Sequence, residues 1–129
     1  MHIDRLDHLV LTVADLDATV DFYTRVLNME TVTFGVGRTA LVFGRNKINL
    51  HLAGHEFEPK ANRPTPGSGD FCLITGDPLD QVIAELAAHG VPIELGPVER
   101  IGALGPMLSV YFRDPDQNLV EISHYPATA

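Results

Sequence analysis

The sequence predicts an α+β fold in which two tandem βαβββ modules form curled mixed sheets within one 129-residue domain. Two observations carry this prediction. A strand, an amphipathic helix and three short strand-like runs occur in that order twice along the chain. The helix-starting residues Asp15 and Asp77 and the helix-ending residues Asn28 and Gly90 recur at the same separation, which indicates an internal repeat. We place module one at about residues 4–55, a connector at 56–68 and module two at 69–125.

The first module begins with an apolar, β-branched run at residues 6–13, which is typical of a strand. Asp15 then provides a helix N-cap, and Asn28 suits the left-handed conformation that ends a helix. Three further strands are predicted at about residues 29–35, 39–44 and 47–53, because glycines and turn-forming residues separate them. The connector that follows contains prolines and glycines and no apolar periodicity.

The second module repeats this order. A strand is predicted at 70–75, and a helix follows with Asp77 as its N-cap and Gly90 as its terminator. Strands are predicted near 91–98, 107–113 and 118–124. The glycines and prolines between Pro97 and Pro106 predict a mobile loop.

Composition and charge exclude several classes of protein. The net charge of −8, with scattered basic residues, argues against a nucleic-acid partner. No apolar run approaches the roughly 20 residues of a membrane span, and we therefore expect a cytoplasmic protein with no membrane partner. The single Cys72 excludes an intrachain disulfide, and its apolar neighbours predict a buried thiol.

Several motifs resemble those of the vicinal oxygen chelate superfamily, which includes glyoxalase I, extradiol dioxygenases and bleomycin-binding proteins. They are DHLVLTV at residues 7–13, FYTRVLNM at 22–29 and FRDPDQNLVE at 112–121. Shorter features at residues 49–51, 56–61 and 64–68 look like the glyoxalase-domain-containing protein 5 group and its virulence-associated bacterial relatives. The resemblance covers the whole chain and implies the paired βαβββ fold.

The resemblance also implies a divalent metal held by side chains from the first and last strands of both modules. Carried over by position, it assigns His8 and Glu121 as metal ligands. At the other two positions we expect His51 and Asp70 as ligands, although Asp70 is equally a candidate catalytic base. Neutral Asn49 is a poor transition-metal ligand, so it is assigned to orienting a ligand or binding substrate.

The expected chemistry follows from this ligand set, which suits Zn²⁺, Ni²⁺, Mn²⁺, Co²⁺ or Fe²⁺ without choosing among them. We expect a glyoxalase-like lyase or isomerase acting on a small oxygen-rich metabolite through a metal-stabilised enediolate. Glu121 and Asp70 would be catalytic, and Arg100 would meet an anionic substrate. The alternatives are a ring-cleaving dioxygenase and a non-catalytic drug-binding protein. Relatives imply a homodimer, with module pairing within or between chains left open.

Overall fold

The structure, a computed structural model, describes residues 1–126. The chain divides into two compact units, Met1–Gly67 and a second unit that begins at Ser68. Each unit contains one helix and one four-stranded sheet, in the order strand, helix and three strands. This confirms the α+β class and the repeated βαβββ pattern.

Unit 1 contains β1 (His8–Val13), α1 (Leu16–Arg25), β2 (Glu30–Phe34), β3 (Arg38–Phe43) and β4 (Asn46–Leu52). The sheet order is β1-β4-β3-β2, with β1 and β4 parallel and the other pairs antiparallel. The Asp15 side chain accepts a hydrogen bond from the Ala18 N–H, as the N-cap prediction requires. Asn28 has a positive φ of 56°, which confirms its predicted role after the helix.

Alternation along the strands gives the sheet of unit 1 two different faces. The apolar face is almost fully buried, and α1 packs against β2, β3 and β4. Its buried side chains are Leu11, Val13, Leu41, Ile48 and Leu50. The opposite face carries His8, Asn49 and His51, because the register pairs Val10 with Asn49 and Thr12 with His51.

Unit 2 contains β5 (Asp70–Ile74), α2 (Leu79–Ala88), β6 (Leu95–Gly102), β7 (Gly105–Arg113) and β8 (Leu119–His124). Its sheet order, β5-β8-β7-β6, repeats that of unit 1, with β5 and β8 parallel. Helix α2 packs against β7 and β8. The apolar face is buried at Val110, Phe112 and Val120. No helix within residues 1–126 is long and apolar enough to cross a membrane.

Two local predictions in unit 2 were wrong. The segment from Pro97 to Pro106 is not a mobile loop, since it belongs to a hairpin in which Gly102 pairs with Gly105 across a two-residue turn. Gly102 is required for a close approach: a Cβ there would lie 2.2 Å from the Tyr125 hydroxyl. Helix α2 also starts later than predicted, so the N-cap position falls on Pro78 rather than on Asp77.

Candidate metal and substrate site

The His8 imidazole lies on the edge strand β1 and is held by its neighbour in sequence. Its Nδ1 lies 2.8 Å from Asp7 Oδ2, and 43% of the side chain is exposed. This hydrogen bond lowers the pKa of Asp7, so the carboxylate is ionised and can only accept. Nδ1 therefore donates to the carboxylate, and in the neutral ring Nε2 is the nitrogen that can accept. A carboxylate that orients a histidine in this way is typical of histidine metal ligands.

Asn49 and His51 share one face of β4, as expected for residues of one strand separated by two positions, and the pairing of β1 with β4 places His8 on the same sheet face. Both are buried, with 9% and 7% of their surface exposed. Burial lowers the pKa of His51, and nearby Arg38 lowers it further, whereas Glu56 acts in the opposite direction. Among residues 1–126, Asn49 Oδ1 is a buried side-chain oxygen that no donor contacts.

The strand register separates His8 from His51. His8 pairs with Lys47 and Thr12 pairs with His51, so the two histidines lie four residues apart along the paired strands. This corresponds to about 13 Å, which does not favour one ion shared between these two side chains within unit 1. His51 as a metal ligand stays a prediction.

In unit 2, Asp70 and Glu121 share the sheet face that points away from the apolar core. Asp70 pairs with Leu119, and Cys72 pairs with Glu121, so the two carboxylates are two residue pairs apart on neighbouring strands. Val120 and Ile122 beside Glu121 are buried on the opposite face. This alternation confirms that Glu121 does not belong to the apolar core.

A chain of hydroxyl groups fixes the Glu121 carboxylate. Ser123 Oγ lies 3.1 Å from Glu121 Oε2 and donates to it, and Ser109 Oγ lies 2.6 Å from Ser123 Oγ. Ser109 and Ser123 are fully buried, which limits their movement. The sequence analysis did not identify Ser123 as a partner of Glu121. Strict alternation from Glu121 was the signal that could have found it.

Cys72 lies opposite Glu121 and is exposed, so the prediction of a buried thiol was wrong. The reason is alternation, because Phe71 and Leu73 point to the other side of β5. Partial desolvation raises the pKa of Cys72, a hydrogen bond with Ser123 opposes this rise, and the charge of Glu121 adds to it.

Arg100 lies on strand β6 rather than in a loop. Its Nε donates to Tyr111 Oη at 3.0 Å, and its guanidinium lies 5.5 Å from the centre of the Tyr111 ring. Tyr111 pairs with Glu121 across β7 and β8, so it belongs to the same face. Sequence reasoning missed Tyr111, which the alternation of β7 would have indicated.

Arg113 forms an ion pair with Glu94, which it contacts through two bonds of 2.9 and 3.0 Å. Asp114 is turned inward and accepts the backbone N–H groups of Asp116 and Asn118. The Asp114 carboxylate therefore stabilises the turn through these two backbone hydrogen bonds.

Some of these residues carry the nitrogen and oxygen atoms that divalent ions bind. His8 has a free nitrogen and an orienting carboxylate, and Asp70 and Glu121 provide oxygen ligands on neighbouring strands. Within residues 1–126, however, no three His, Cys, Asp or Glu side chains come together as a group that could hold a metal ion. Each unit thus offers donors of a kind that divalent ions bind, an oriented histidine in unit 1 and a carboxylate pair in unit 2.

Comparison with known proteins identifies relatives of high similarity. Residues 5–122 match the model of the Glyoxalase/Bleomycin resistance protein/Dioxygenase superfamily. "Virulence protein STM3117" of Salmonella typhimurium is 57% identical over 125 residues, which cover 97% of this chain and 87% of that protein. Its crystal structure matches with a TM-score of 0.96 at 56% identity and covers 98% of this chain and 100% of that chain.

Two further proteins extend the comparison. "Glyoxalase domain-containing protein RDO1" of Mycosarcoma maydis is 56% identical over 120 residues, covering 93% of this chain and 68% of that protein. The crystal structure of lactoylglutathione lyase from Agrobacterium tumefaciens matches with a TM-score of 0.74 at 27% identity, covering 95% of each chain. The chain therefore belongs to the Glyoxalase/Bleomycin resistance protein/Dioxygenase superfamily.

Proposed function

We propose that this protein is a metal-dependent lyase or isomerase of the glyoxalase type that acts on a small oxygen-rich metabolite. One observation carries the proposal. Asp70 and Glu121 lie two residue pairs apart on the same sheet face, and a serine hydroxyl fixes only Glu121. One carboxylate is thus held in place, and the other is exposed and available for proton transfer. The likeness to lactoylglutathione lyase supports this reaction class.

The proposed metal ligands are His8 and Glu121, the ion is divalent, and Asp70 is assigned to proton transfer instead of ligation. When bound, it supplies a Lewis acid that stabilises negative charge on the substrate oxygens. Asp7 keeps the His8 Nε2 lone pair free for ligation. Ser123 occupies one carboxylate oxygen of Glu121 and leaves the other available. We also propose that the protein is a homodimer.

Asp70 is the proposed base. Within residues 1–126, its carboxylate makes no hydrogen bond or ion pair, so no contact has to break before it accepts a proton. It would remove a proton from a carbon beside a carbonyl group and return it to the neighbouring atom. Arg100 and Tyr111, which are hydrogen-bonded to each other, would contact the substrate from the adjacent strands.

Metal titration tests the ligand assignment. Protein purified without chelator is analysed for bound metal, then stripped and titrated with Zn²⁺, Ni²⁺, Mn²⁺ and Fe²⁺. We expect stoichiometric uptake by the parent and its loss in His8→Ala and Glu121→Ala, while His2→Ala, at an exposed site, takes up metal like the parent. Absence of uptake by the parent contradicts the proposal, as does parent-like uptake by both ligand variants. Light scattering measures the proposed dimer.

Hydrogen exchange tests the reaction class. In D₂O, the metal-loaded protein should exchange the carbon-bound hydrogens of an α-hydroxy ketone such as dihydroxyacetone, and Asp70→Asn should lose this exchange. Catechol-dependent oxygen consumption would instead identify a ring-cleaving dioxygenase. Ligand binding with neither reaction would identify a binding protein. Either result would overturn the lyase or isomerase assignment.

A further inference from the structure

We propose that the sheet face of unit 1 opposite the apolar core carries a binding subsite for an anionic metabolite that also bears a hydroxyl group, formed by Arg38, Asn49 and His51. The three side chains share one face of β3 and β4, since Ala40 pairs with Asn49, and Arg38 and His51 each lie two residues from one of that pair. Such a subsite makes a hydroxylated anion the substrate class of the proposed lyase or isomerase. This assignment of a substrate class rests on the proposed function.

The hydroxyl requirement comes from Asn49. Its Oδ1 is buried and has no donor among residues 1–126. A buried acceptor without a donor is unfavourable unless a ligand or ordered water satisfies it. Its nearest strand neighbours on this face, Val10 and Ala40, carry no donor in their side chains. A hydroxyl group on the ligand supplies the missing donor.

The anion requirement comes from two cations that are held without carboxylates. The Arg38 guanidinium lies 4.6 Å from the centre of the Phe57 ring, and Lys47 Nζ lies 3.8 Å from the centre of the Phe34 ring. In the described part of the chain, neither cation forms an ion pair. Stacking on aromatic rings positions a guanidinium and leaves its N–H groups free to bind an anion. This face is thus locally positive in a chain of net charge −8.

His51 supports the same assignment. Its ring packs edge to face on Phe57, with 5.5 Å between the ring centres. A neutral imidazole has one donor and one acceptor nitrogen, and both groups match a hydroxylated anion. The carboxylate of Glu56 accepts backbone N–H groups at Gly54 and Glu56 and does not neutralise Arg38.

The anionic group is a carboxylate or a phosphate, since the guanidinium fork binds both. Titration of chelator-treated, isotope-labelled protein by NMR distinguishes them. Malate is compared with succinate, which lacks only the hydroxyl, and glycerol 3-phosphate with n-propyl phosphate, which lacks both hydroxyls. In the pair with the matching anion, we expect the hydroxylated member to bind roughly tenfold more tightly, since one hydrogen bond is worth about this factor. The amide resonances of residues 38, 49 and 51 should shift.

Three variants separate the contributions. Asn49→Leu replaces the buried amide with an apolar side chain of similar size, so it should stay folded and bind both members of the pair equally. Arg38→Met should weaken both members by roughly tenfold or more, because it removes the charge-assisted bond. Arg45→Met makes the same charge change in the exposed β3–β4 turn, and it should bind like the parent.

Three outcomes overturn the proposal: no saturable binding of any of the four probes, equal binding within both pairs by the parent, or equal binding by Arg38→Met and Arg45→Met. These measurements contain no metal. Failure of the subsite therefore leaves metal uptake by His8 and Glu121 unaffected, and failure of the metal assignment leaves the probe titrations unchanged.

Discussion

Asn118 connects the first strand of unit 2 to the turn between β7 and β8, and its removal should destabilise the protein. Its Oδ1 accepts the Gly69 N–H at 2.7 Å, and its Nδ2 donates to Asp114 Oδ2 at 2.8 Å. Asn118 and Asp114 are 1% and 2% exposed, so water cannot easily replace these bonds. Each buried group deprived of a partner costs about 1–3 kcal/mol. Asn118→Ala should therefore lower the free energy of unfolding by roughly 3 kcal/mol.

The repeat provides a matched control. Asn46 occupies the equivalent position in unit 1 and donates to the carbonyl oxygens of Leu6 and Asp7 at 2.7 and 3.1 Å. These contacts are exposed, so water can replace them, and Asn46→Ala should cost about 0.5–1 kcal/mol. Urea unfolding at one fixed protein concentration measures both values. Equal losses in the two variants would refute the argument that burial determines the cost.

The remaining predictions concern the site, pH and the backbone. Ser123→Ala should weaken Zn²⁺ binding by about 10- to 100-fold, because Glu121 loses the hydroxyl that orients it, and titration calorimetry measures this; unchanged affinity would contradict the assignment. Because the folded-state pKa of His51 is lowered, the unfolded chain binds protons first as the pH falls. The parent should therefore lose more stability than His51→Gln between about pH 7.5 and about pH 5.5 in urea unfolding, and equal losses would refute this. Gly96→Ala should cost more than Gly105→Ala in thermal unfolding, since both have φ above +110° but only at Gly96 would a Cβ lie 2.5 Å from a backbone oxygen.

Local signals in the sequence predicted the elements well. Asp15 caps α1 through a contact within three residues, and Asn28 and Gly90 have the positive φ that ends a helix. These features depend on the conformational preferences of single residues, so no tertiary information is needed to find them. Apart from β6, which lies four residues later than predicted, the observed strands lie close to the predicted ones, because alternation and turn residues determine most of their ends.

Predictions from neighbouring residues in the sequence were wrong at Gly102 and Cys72. Gly102 was assigned to a mobile loop, but the Tyr125 hydroxyl takes up the space of its missing side chain. Cys72 was assigned to the core because its neighbours are apolar, but the register with Glu121 places it on the other face. Gly102 meets a side chain that follows β8, and Cys72 lies on the sheet face of Glu121, so the immediate neighbours in sequence determined neither environment.

For the candidate site too, some features follow from the sequence and others only from the tertiary structure. The sequence by itself determined the repeat, the two βαβββ patterns and the positions of His8 and Glu121, because periodicity and motif order are properties of the chain. Only the tertiary structure decided that Ser123 holds Glu121, that Arg100 holds Tyr111 and that Asn49 has a buried acceptor without a donor. Hydrogen-bond partners depend on strand register and burial, which only pairing and packing of strands establish.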